Sequence, residues 1–539
     1  MNFIDLFCGC GGFSLGMVRA GFQCLAAIDF NQEAITTFRA NFSKDTLALC
    51  KDLTKFPPDK LAAKLGINHV DVIVGGPPCQ GFSTVRQVDS ANHGSRVRKD
   101  KRRYLFRSFL EYVAAFRPRI FVMENVLGIQ SAAKGKFFTL VQSEARKLGY
   151  RVHAQVEEAW KLGVPQKRRR QLIIGVRNDL LGFFPSELTP CARAKGSPKL
   201  WDAIGDLPEL AAGAGTEECE YDLTLRQNFL AARGETGKNY LENILEIGRA
   251  KKLTSHRARP HNDRDIRDFG RLREGETADA AIIRGEKMEF PYDRSIFLDR
   301  YTRQHRENIC STIVAHLSKD GLMFIHPTQD RSLTPREAAR VQTFPDWFLF
   351  PIPRTHQFRI IGNAVPPLIA ECIGAEVRNF LEQYHADQNC ARREDSLSRI
   401  RTDFSNASSV QDAARALQAL AQLDRRQLRD VTTNKFIEGW RALIFLFPDL
   451  HPDNALDHGE QIEQISPGQL IFAGFEQILA KRYSRSGWPV ALELLGREAW
   501  RRYEGREITG EDFYCLEAQS AGMSLRKKSE TPRPKEFNS

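Results

Sequence analysis

The sequence predicts an α/β fold with a doubly wound, mostly parallel sheet, and three observations predict it. Short apolar, β-branched runs recur at Asn2 to Phe7, Cys24 to Ile28, Val70 to Val74, Arg119 to Met123 and Leu172 to Val176. Runs of this length bounded by turn residues read as buried strands. The first of them feeds directly into a glycine-rich loop and then a helical pattern, FIDLFCGCGGFSLG from Phe3 to Gly16. Finally, Asp29, Cys79 and Glu124 each stand at the end of such a run. Loops leaving the carboxyl ends of strands form the ligand crevice of open α/β sheets.

Taken in order, Gly9, Gly11 and Gly12 allow the backbone to approach a ligand, as in nucleotide-binding loops. Asp29 follows at about the spacing at which an acidic residue bonds ribose hydroxyls. No GKS or GKT sequence is present, so a P-loop is not expected. Asp52, in Lys51-Asp52-Leu53, reads either as a ligand contact or as a turn cap. Val70 to Val74 delivers GGPPCQGFS, residues 75 to 83. Pro77 and Pro78 stiffen the approach to Cys79, and Gly81 permits an unusual backbone angle behind it. A free cysteine is usually a small buried hydrophobe, so it is the loop around Cys79 that marks its thiol.

Arg86 to Arg107 then holds eight Lys or Arg against Asp89 and Asp100. The stretch is either a solvated face or a phosphate-neutralising loop. Arg119 to Met123 brings Glu124-Asn125-Val126 to the same sheet edge as Cys79, with Glu124 a solvated acid or a catalytic one. Alternation along Gln166-Lys167-Arg168-Arg169-Arg170 places Gln166, Arg168 and Arg170 on one face of an extended chain.

In this order the segments resemble the C5-cytosine-specific DNA methyltransferases of bacterial type, a family marked by PCQ followed by FS, by ENV and by QxRxR. Later segments extend the resemblance. Leu333 to Arg340 has Thr334 as N-cap, Pro335 at the first helical position and Glu337 placed for a capping box, and it runs into Gln342-Thr343-Phe344-Pro345, similar to the family's ninth motif. Ile360 to Pro367, IIGNAVPP, matches the tenth. The resemblance covers roughly residues 1 to 384.

The resemblance implies a class I S-adenosylmethionine-dependent methyltransferase fold with an inserted target-recognition domain. Phe7, Gly9, Gly11, Asp29, Phe30, Asp52, Leu53, Pro77, Asn363 and Val365 then line the S-adenosylmethionine site; at the position of Asp29 the family more often has Glu. Cys79, Glu124, Arg168 and Arg170 are the implied catalytic residues. Cys79 would add to C6 of a flipped-out cytosine, Glu124 would bind or protonate N3, and Arg168 would hold O2. The implied partner is double-stranded DNA, bound by a monomer, with a cognate restriction enzyme or phage-defence proteins in the background. A tRNA cytosine methyltransferase and a catalytically idle DNA-binding scaffold are the other readings, and the large insert and the intact catalytic segments argue against them.

The domain boundaries that follow are 1–182 and 331–384 for the catalytic domain, 183–330 for the recognition insert and 385–539 for a C-terminal helical accessory domain. The insert loses the strand-helix rhythm and is rich in Gly, Pro and charge. Its histidines, in Ser255 to His261, have no Cys/His spacing around them that suggests metal and are expected at the surface or facing DNA. In the last domain, Leu417, Leu420, Leu428 and Val431 fall at helical spacing, and a polar, disordered tail is expected from Ser524. Asp449, His451, Asp453, Asp457 and His458 fit loop and cap positions as well as a metal.

Composition sets outer bounds. A chain of 539 residues exceeds one ordinary core, and 42% hydrophobic with 27% charged residues describes a globular protein. No run is expected to approach the ~18 apolar residues of a membrane span. The opening strand leaves no room for a secretory signal, so a cytoplasmic location is expected. Eleven cysteines are too sparse for a disulfide scaffold. The net charge of +11 suits a polyanionic partner. Residues 390 to 539 carry 22 basic and 22 acidic side chains, so the whole excess lies in the part that holds the motifs.

Overall fold

The computed structural model describes residues 1–78, 104–132, 135–180, 184–185, 187–290 and 301–391, with side chains through residue 382. Cys79, the basic stretch through Arg103 and nearly all of the expected C-terminal domain lie outside the described residues. The chain divides into two units, the larger comprising Met1–Asn178 and Phe184–Asn379 and the smaller Asp179–Phe183 with Phe380–Ser539.

Seven strands form the main sheet of the larger unit: β1 (Asn2–Leu6), β2 (Gln23–Asp29), β3 (Leu47–Cys50), β4 (Val72–Gly75), β5 (Ile120–Asn125), β6 (Tyr150–Glu158) and β7 (Arg169–Arg177). Their order is β3-β2-β1-β4-β5-β7-β6. The first five run parallel, while β7 is antiparallel to β5 and β6. This is the doubly wound, mostly parallel sheet expected from the sequence. Strand order reverses between β1 and β4, and a reversal of this kind opens a ligand crevice at the carboxyl ends of the two strands. The glycine loop leaves β1 there, and Gly76 to Pro78, which precede Cys79, leave β4.

Among the described residues, the longer helices between the strands are α1 (Gly12–Arg19), α2 (Gln32–Asn41), α3 (Pro58–Leu65), α4 (Leu105–Phe116) and α5 (Lys136–Lys147). On α4, Phe106, Phe109, Leu110, Tyr112, Val113 and Phe116 are buried. Their spacing lays one apolar stripe along the helix, and they share a core with Ile73, Phe121 and Met123 of the sheet. Each such side chain stabilises the fold by about 1.5–3 kcal/mol when fully buried.

The insert has short elements, as its composition implied: two-residue strands β8 (Glu218–Cys219) and β9 (Leu253–Thr254), helices α6 (Leu223–Ala232) and α7 (Asp263–Arg271), and a small core of its own around Phe269, Tyr301 and Ile325. The chain then returns through α8 (Pro335–Val341), α9 (Arg354–Asn363) and α10 (Pro367–Ala391). The capping box forms as expected: Glu337 N donates to Thr334 Oγ1 at 3.2 Å and Thr334 N to Glu337 Oε2 at 2.7 Å.

Two expectations are corrected. His256 is buried, with Nδ1 3.1 Å from Thr334 Oγ1 and Nε2 3.0 Å from the Pro208 carbonyl, and His261 lies 3.0 Å from Ser332 Oγ. Burial and the neighbouring Arg259 push the pKa of His261 down to about 4. These histidines tie the insert to α8 instead of facing outward, and the charged residues around them in sequence hid that burial. Also, residues 354–382 contain a window long and apolar enough for a bilayer, of which 83% is buried in the fold. Against it packs α1, where a Cβ on Gly16 would lie 2.4 Å from that of Ala370.

Charge inside the unit is paired. Arg340 donates from Nε to Asp346 Oδ1 at 2.7 Å and also bonds Asp206, which takes a further bond from Arg226 at 3.1 Å. All three members, Arg340, Asp206 and Asp346, are fully buried. Arg340→Met removes the central cation and leaves two buried carboxylates to share Arg226, so it is expected to lower unfolding stability by ~3–5 kcal/mol. Urea unfolding followed by fluorescence measures this, and a loss below ~1 kcal/mol would show that the carboxylates find other partners.

Candidate active site

At the end of β1 the backbone turns through left-handed conformations at Phe7, Gly9 and Gly11, with φ of 60°, 54° and 96°. For a residue such as Phe7 this costs roughly 1–3 kcal/mol and persists only where the surroundings enforce it. Two contacts from the end of β2 do so: Cys8 N donates to the Ile28 carbonyl at 3.1 Å, and Gly9 N to Asp29 Oδ2 at 2.9 Å. The other Asp29 oxygen accepts from Asn31 N at 2.8 Å, at the start of α2. Asp29 is only 8% exposed, and burial raises its pKa. Its two bonds therefore hold the glycine loop against α2, a role the ribose expectation did not include.

Below the loop, Ser14 Oγ donates to Asp5 Oδ2 at 2.6 Å, and Asp5 Oδ1 has no hydrogen-bond partner. Burial, reinforced by the charge of Asp29, pushes the Asp5 pKa up to about 7. A Cβ on Gly12 would lie 2.2 Å from the Val365 carbonyl oxygen, so the tenth motif closes directly over the loop. Around this cradle, Phe30 is 66% exposed, an open aromatic face where most rings among the described residues are buried. Asn363 is exposed and Val365 nearly buried. Asp52 Oδ1 accepts from Thr54 N at 3.0 Å and Thr54 Oγ1 at 2.8 Å, which is the turn cap. Leu53 belongs to the hydrophobic core, so its side chain is spent on packing. A glycine cradle, a carboxylate, and an exposed ring at the reversal of strand order fit an adenosyl ligand.

Across the crevice, β5 presents Glu124. Arg170 Nε lies 2.7 Å from Glu124 Oε1, with both side chains largely shielded from solvent. Register explains the encounter: Glu124 pairs with Leu172 in the antiparallel ladder, so Arg170 stands just beyond it at the strand end. Asn125 Nδ2 donates to the Pro77 carbonyl at 3.2 Å, which anchors the start of the Cys79 loop to β5. A Cβ on Gly76 would be 3.2 Å from Glu124 Oε2, so the chain leading to Cys79 passes beside the carboxylate.

Arg168 is placed elsewhere. Its side chain is 1% exposed, with Nη1 donating to the Ile313 carbonyl at 3.0 Å and Nη2 to the Ala364 carbonyl at 2.7 Å. Gln166 makes a similar tie to Gln342 Oε1 at 2.6 Å. The alternation predicted for QxRxR holds, but its buried face splits: Gln166 ties the end of the insert to the ninth motif and Arg168 ties it to the tenth, and Arg170 alone of the three reaches Glu124. The contacts described for Arg168 are thus to main-chain carbonyls of the insert and the tenth motif.

The family model for C-5 cytosine-specific DNA methylase matches residues 1–379. The chain belongs to that family. It is thus a DNA cytosine-5-methyltransferase, and its methyl donor is S-adenosylmethionine. Among its relatives, the type II methyltransferase M.DdeI of Desulfomicrobium norvegicum is 33% identical, over 71% of this chain and 89% of its own. The type II methyltransferase M.AgeI of Thalassovita gelatinovora is 31% identical, over 70% and 99%. A crystal structure of a prophage-encoded E. coli protein, described as a DNA modification methyltransferase, has a TM-score of 0.56 at 27% identity and covers 71% of this chain and 99% of that one.

Two positions that shape the site escaped the sequence reading. Asn125 was legible only as part of a motif, and Asp5 as one polar residue in an apolar strand; the signal for the second was Ser14, one helical turn past the glycines. Asp5 also sets a pH dependence. A carboxyl whose folded pKa rises from the ordinary 3.8 to about 7 holds its proton in the native state while the unfolded chain releases it. Its contribution is complete below about pH 4 and lost as pH climbs to about 7, at up to ~1.4 kcal/mol per unit. Asp5→Asn keeps an acceptor for Ser14 and carries no charge, so thermal melts should show a flatter stability profile from pH 5 to 8, with the variant more stable than wild type at pH 8. Parallel profiles would mean that Asp5 is not held protonated.

Proposed function

We propose that this methyltransferase acts on cytosine turned out of a DNA duplex, through a transient bond between Cys79 and C6 of the ring. The observation that carries this reading is the Glu124–Arg170 pair at 2.7 Å, set beside the chain that leads to Cys79. Carbon 5 of cytosine is a poor nucleophile, and addition of a thiolate at C6 places electron density on it. Glu124 offers a hydrogen bond or a proton to N3 as that charge develops. Arg170 orients Glu124 and faces O2, the task that the family resemblance implied for Arg168. Asn125 fixes the start of the Cys79 loop through Pro77.

S-adenosylmethionine, held by the glycine loop, Asp29, Phe30 and Val365, supplies an electrophilic methyl group. Once the methylated ring has lost its C5 proton, Cys79 departs with the electron pair of its bond to C6 and the aromatic base is restored. Residues 183–330 select the target sequence, and residues 385–539 form an accessory domain with no part in the chemistry. The basic segment with Arg98, Lys99, Lys101 and Arg102 neutralises phosphates. The names of the type II relatives favour a restriction-modification or phage-defence role, with the enzyme working as a cytoplasmic monomer on DNA.

Bisulfite sequencing of DNA from cells expressing the protein tests the activity. Methylcytosine should appear in one sequence context and vanish with Cys79→Ala; no methylcytosine, or full methylation by the variant, would refute the mechanism. The two arginines should also separate. Arg170→Gln is expected to cut kcat by ~10²–10⁴ in a protein that melts normally, whereas Arg168→Gln should chiefly lower the melting temperature. The opposite pattern would return O2 to Arg168.

A further inference from the structure

The connection between β6 and β7 lies at the sheet edge where β5 presents Glu124, and it carries one wall of a cavity of about 310 Å³. Trp160 and Lys167 line it from this connection, Ser197 and Lys199 from the start of the insert, and Asn308 and Ile309 from its return. The walls are held by main-chain bonds: Lys167 N to the Cys310 carbonyl at 2.8 Å, Cys310 N to that of Pro165 at 2.9 Å, and Leu200 N to that of Asn308 at 2.9 Å. The pocket is thus a built feature of the fold.

Its lining holds two lysines and no carboxylate. Neighbouring cations are neutralised: Lys161 and Arg169 by Glu158 at 3.3 and 3.4 Å, and Arg306 by Glu274 at 3.0 Å. Among the described residues, the ammonium groups of Lys167 and Lys199 have no carboxylate and no hydrogen-bond partner, and the Trp160 indole N–H, the Ser197 hydroxyl and the Asn308 amide are also unengaged. Two uncompensated cations with further donors call for an anion, and an aromatic wall calls for a flat ring or a sugar beside it.

We propose that this pocket holds one nucleotide of the substrate duplex near the target cytosine, its phosphate on Lys167 and Lys199 and its base or sugar against Trp160. The proposal rests on the placement of the target at Glu124 and Arg170. Lys167 precedes Arg170 by three residues, at most ~10 Å along an extended chain. With a rise of about 3.4 Å per nucleotide along each strand, the pocket serves a position within about three nucleotides of the flipped base. Lys167 and Lys199 are positioning residues in this arrangement, setting where the strand lies without touching the reacting atoms.

The test uses the full-length protein and a mixed-sequence duplex of about 30 base pairs, with affinity measured across a salt series. The double variant Lys167→Gln, Lys199→Gln should bind roughly three- to tenfold more weakly at 0.1 M salt, and its slope of log affinity against log salt should be shallower by about 1. Its melting temperature and S-adenosylmethionine binding should match wild type. Trp160→Phe should retain affinity and Trp160→Ala lose it. In a duplex carrying the methylated sequence, a neutral methylphosphonate at one position within three nucleotides of the target should weaken the wild type and leave the double variant unaffected. Unchanged affinity and slope would overturn the proposal, as would a loss accompanied by weaker S-adenosylmethionine binding, which would make the lysines part of the scaffold. Normal methylation with no change in the double variant refutes the pocket alone, whereas a wild type that shows these salt effects but deposits no methylcytosine refutes the proposed chemistry and leaves the phosphate site standing.

Discussion

Because β7 pairs antiparallel with β5, Arg170 enters the sheet at the edge where Glu124 leaves it, and their 2.7 Å ion pair is the contact on which the rest of the site depends. A parallel seventh strand would carry its first residues to the opposite edge and leave the carboxylate without a partner. The same ladder sets Asn125 against Gln171. From there the Asn125 amide reaches the Pro77 carbonyl and fixes the root of the Cys79 loop. Sheet topology thus specifies which acid and which arginine meet, and that they do so beside Gly76 and Pro77.

Around that edge the protein spends polar groups on holding backbone. Asp29 fastens the glycine loop and the start of α2, and Arg168 fastens the return of the insert and the tenth motif through two carbonyls. A buried guanidinium is costly to leave unpaired, and the two main-chain oxygens that hold the terminal nitrogens of Arg168 come one from the insert and one from the tenth motif. The Arg340, Asp206 and Asp346 cluster works in the same way at α8. Insert and catalytic segments therefore belong to one compact unit, consistent with catalysis that relies on groups positioned in advance.

Much of this was legible in the sequence, for identifiable reasons. The β-branched runs of β1, β4 and β5 can be buried on both faces only in a parallel sheet. Thr334, Pro335 and Glu337 announce α8 through local capping chemistry that needs no tertiary context. What stayed hidden was partner choice across long separations. The alternation of QxRxR shows which arginines share a face, but whether that face meets a carboxylate or two carbonyls depends on Ile313 and Ala364, more than 140 residues away. His256 was misread because its neighbours are charged, although its own ring is sandwiched between Pro208 and Thr334. Lys167 looked like the outward member of an alternating pair, and only the return of the chain at Asn308 makes a pocket of it.

The central claim is that Glu124 and Arg170 act as one unit on the cytosine ring. A double-mutant cycle on kcat, with Glu124→Gln, Arg170→Gln and their combination, tests this most directly. Groups that work as a unit are strongly non-additive, so the combined variant should be scarcely slower than the slower single variant, with DNA and S-adenosylmethionine binding retained in all three. Rate losses that multiply would show that the two residues act independently and would contradict the account.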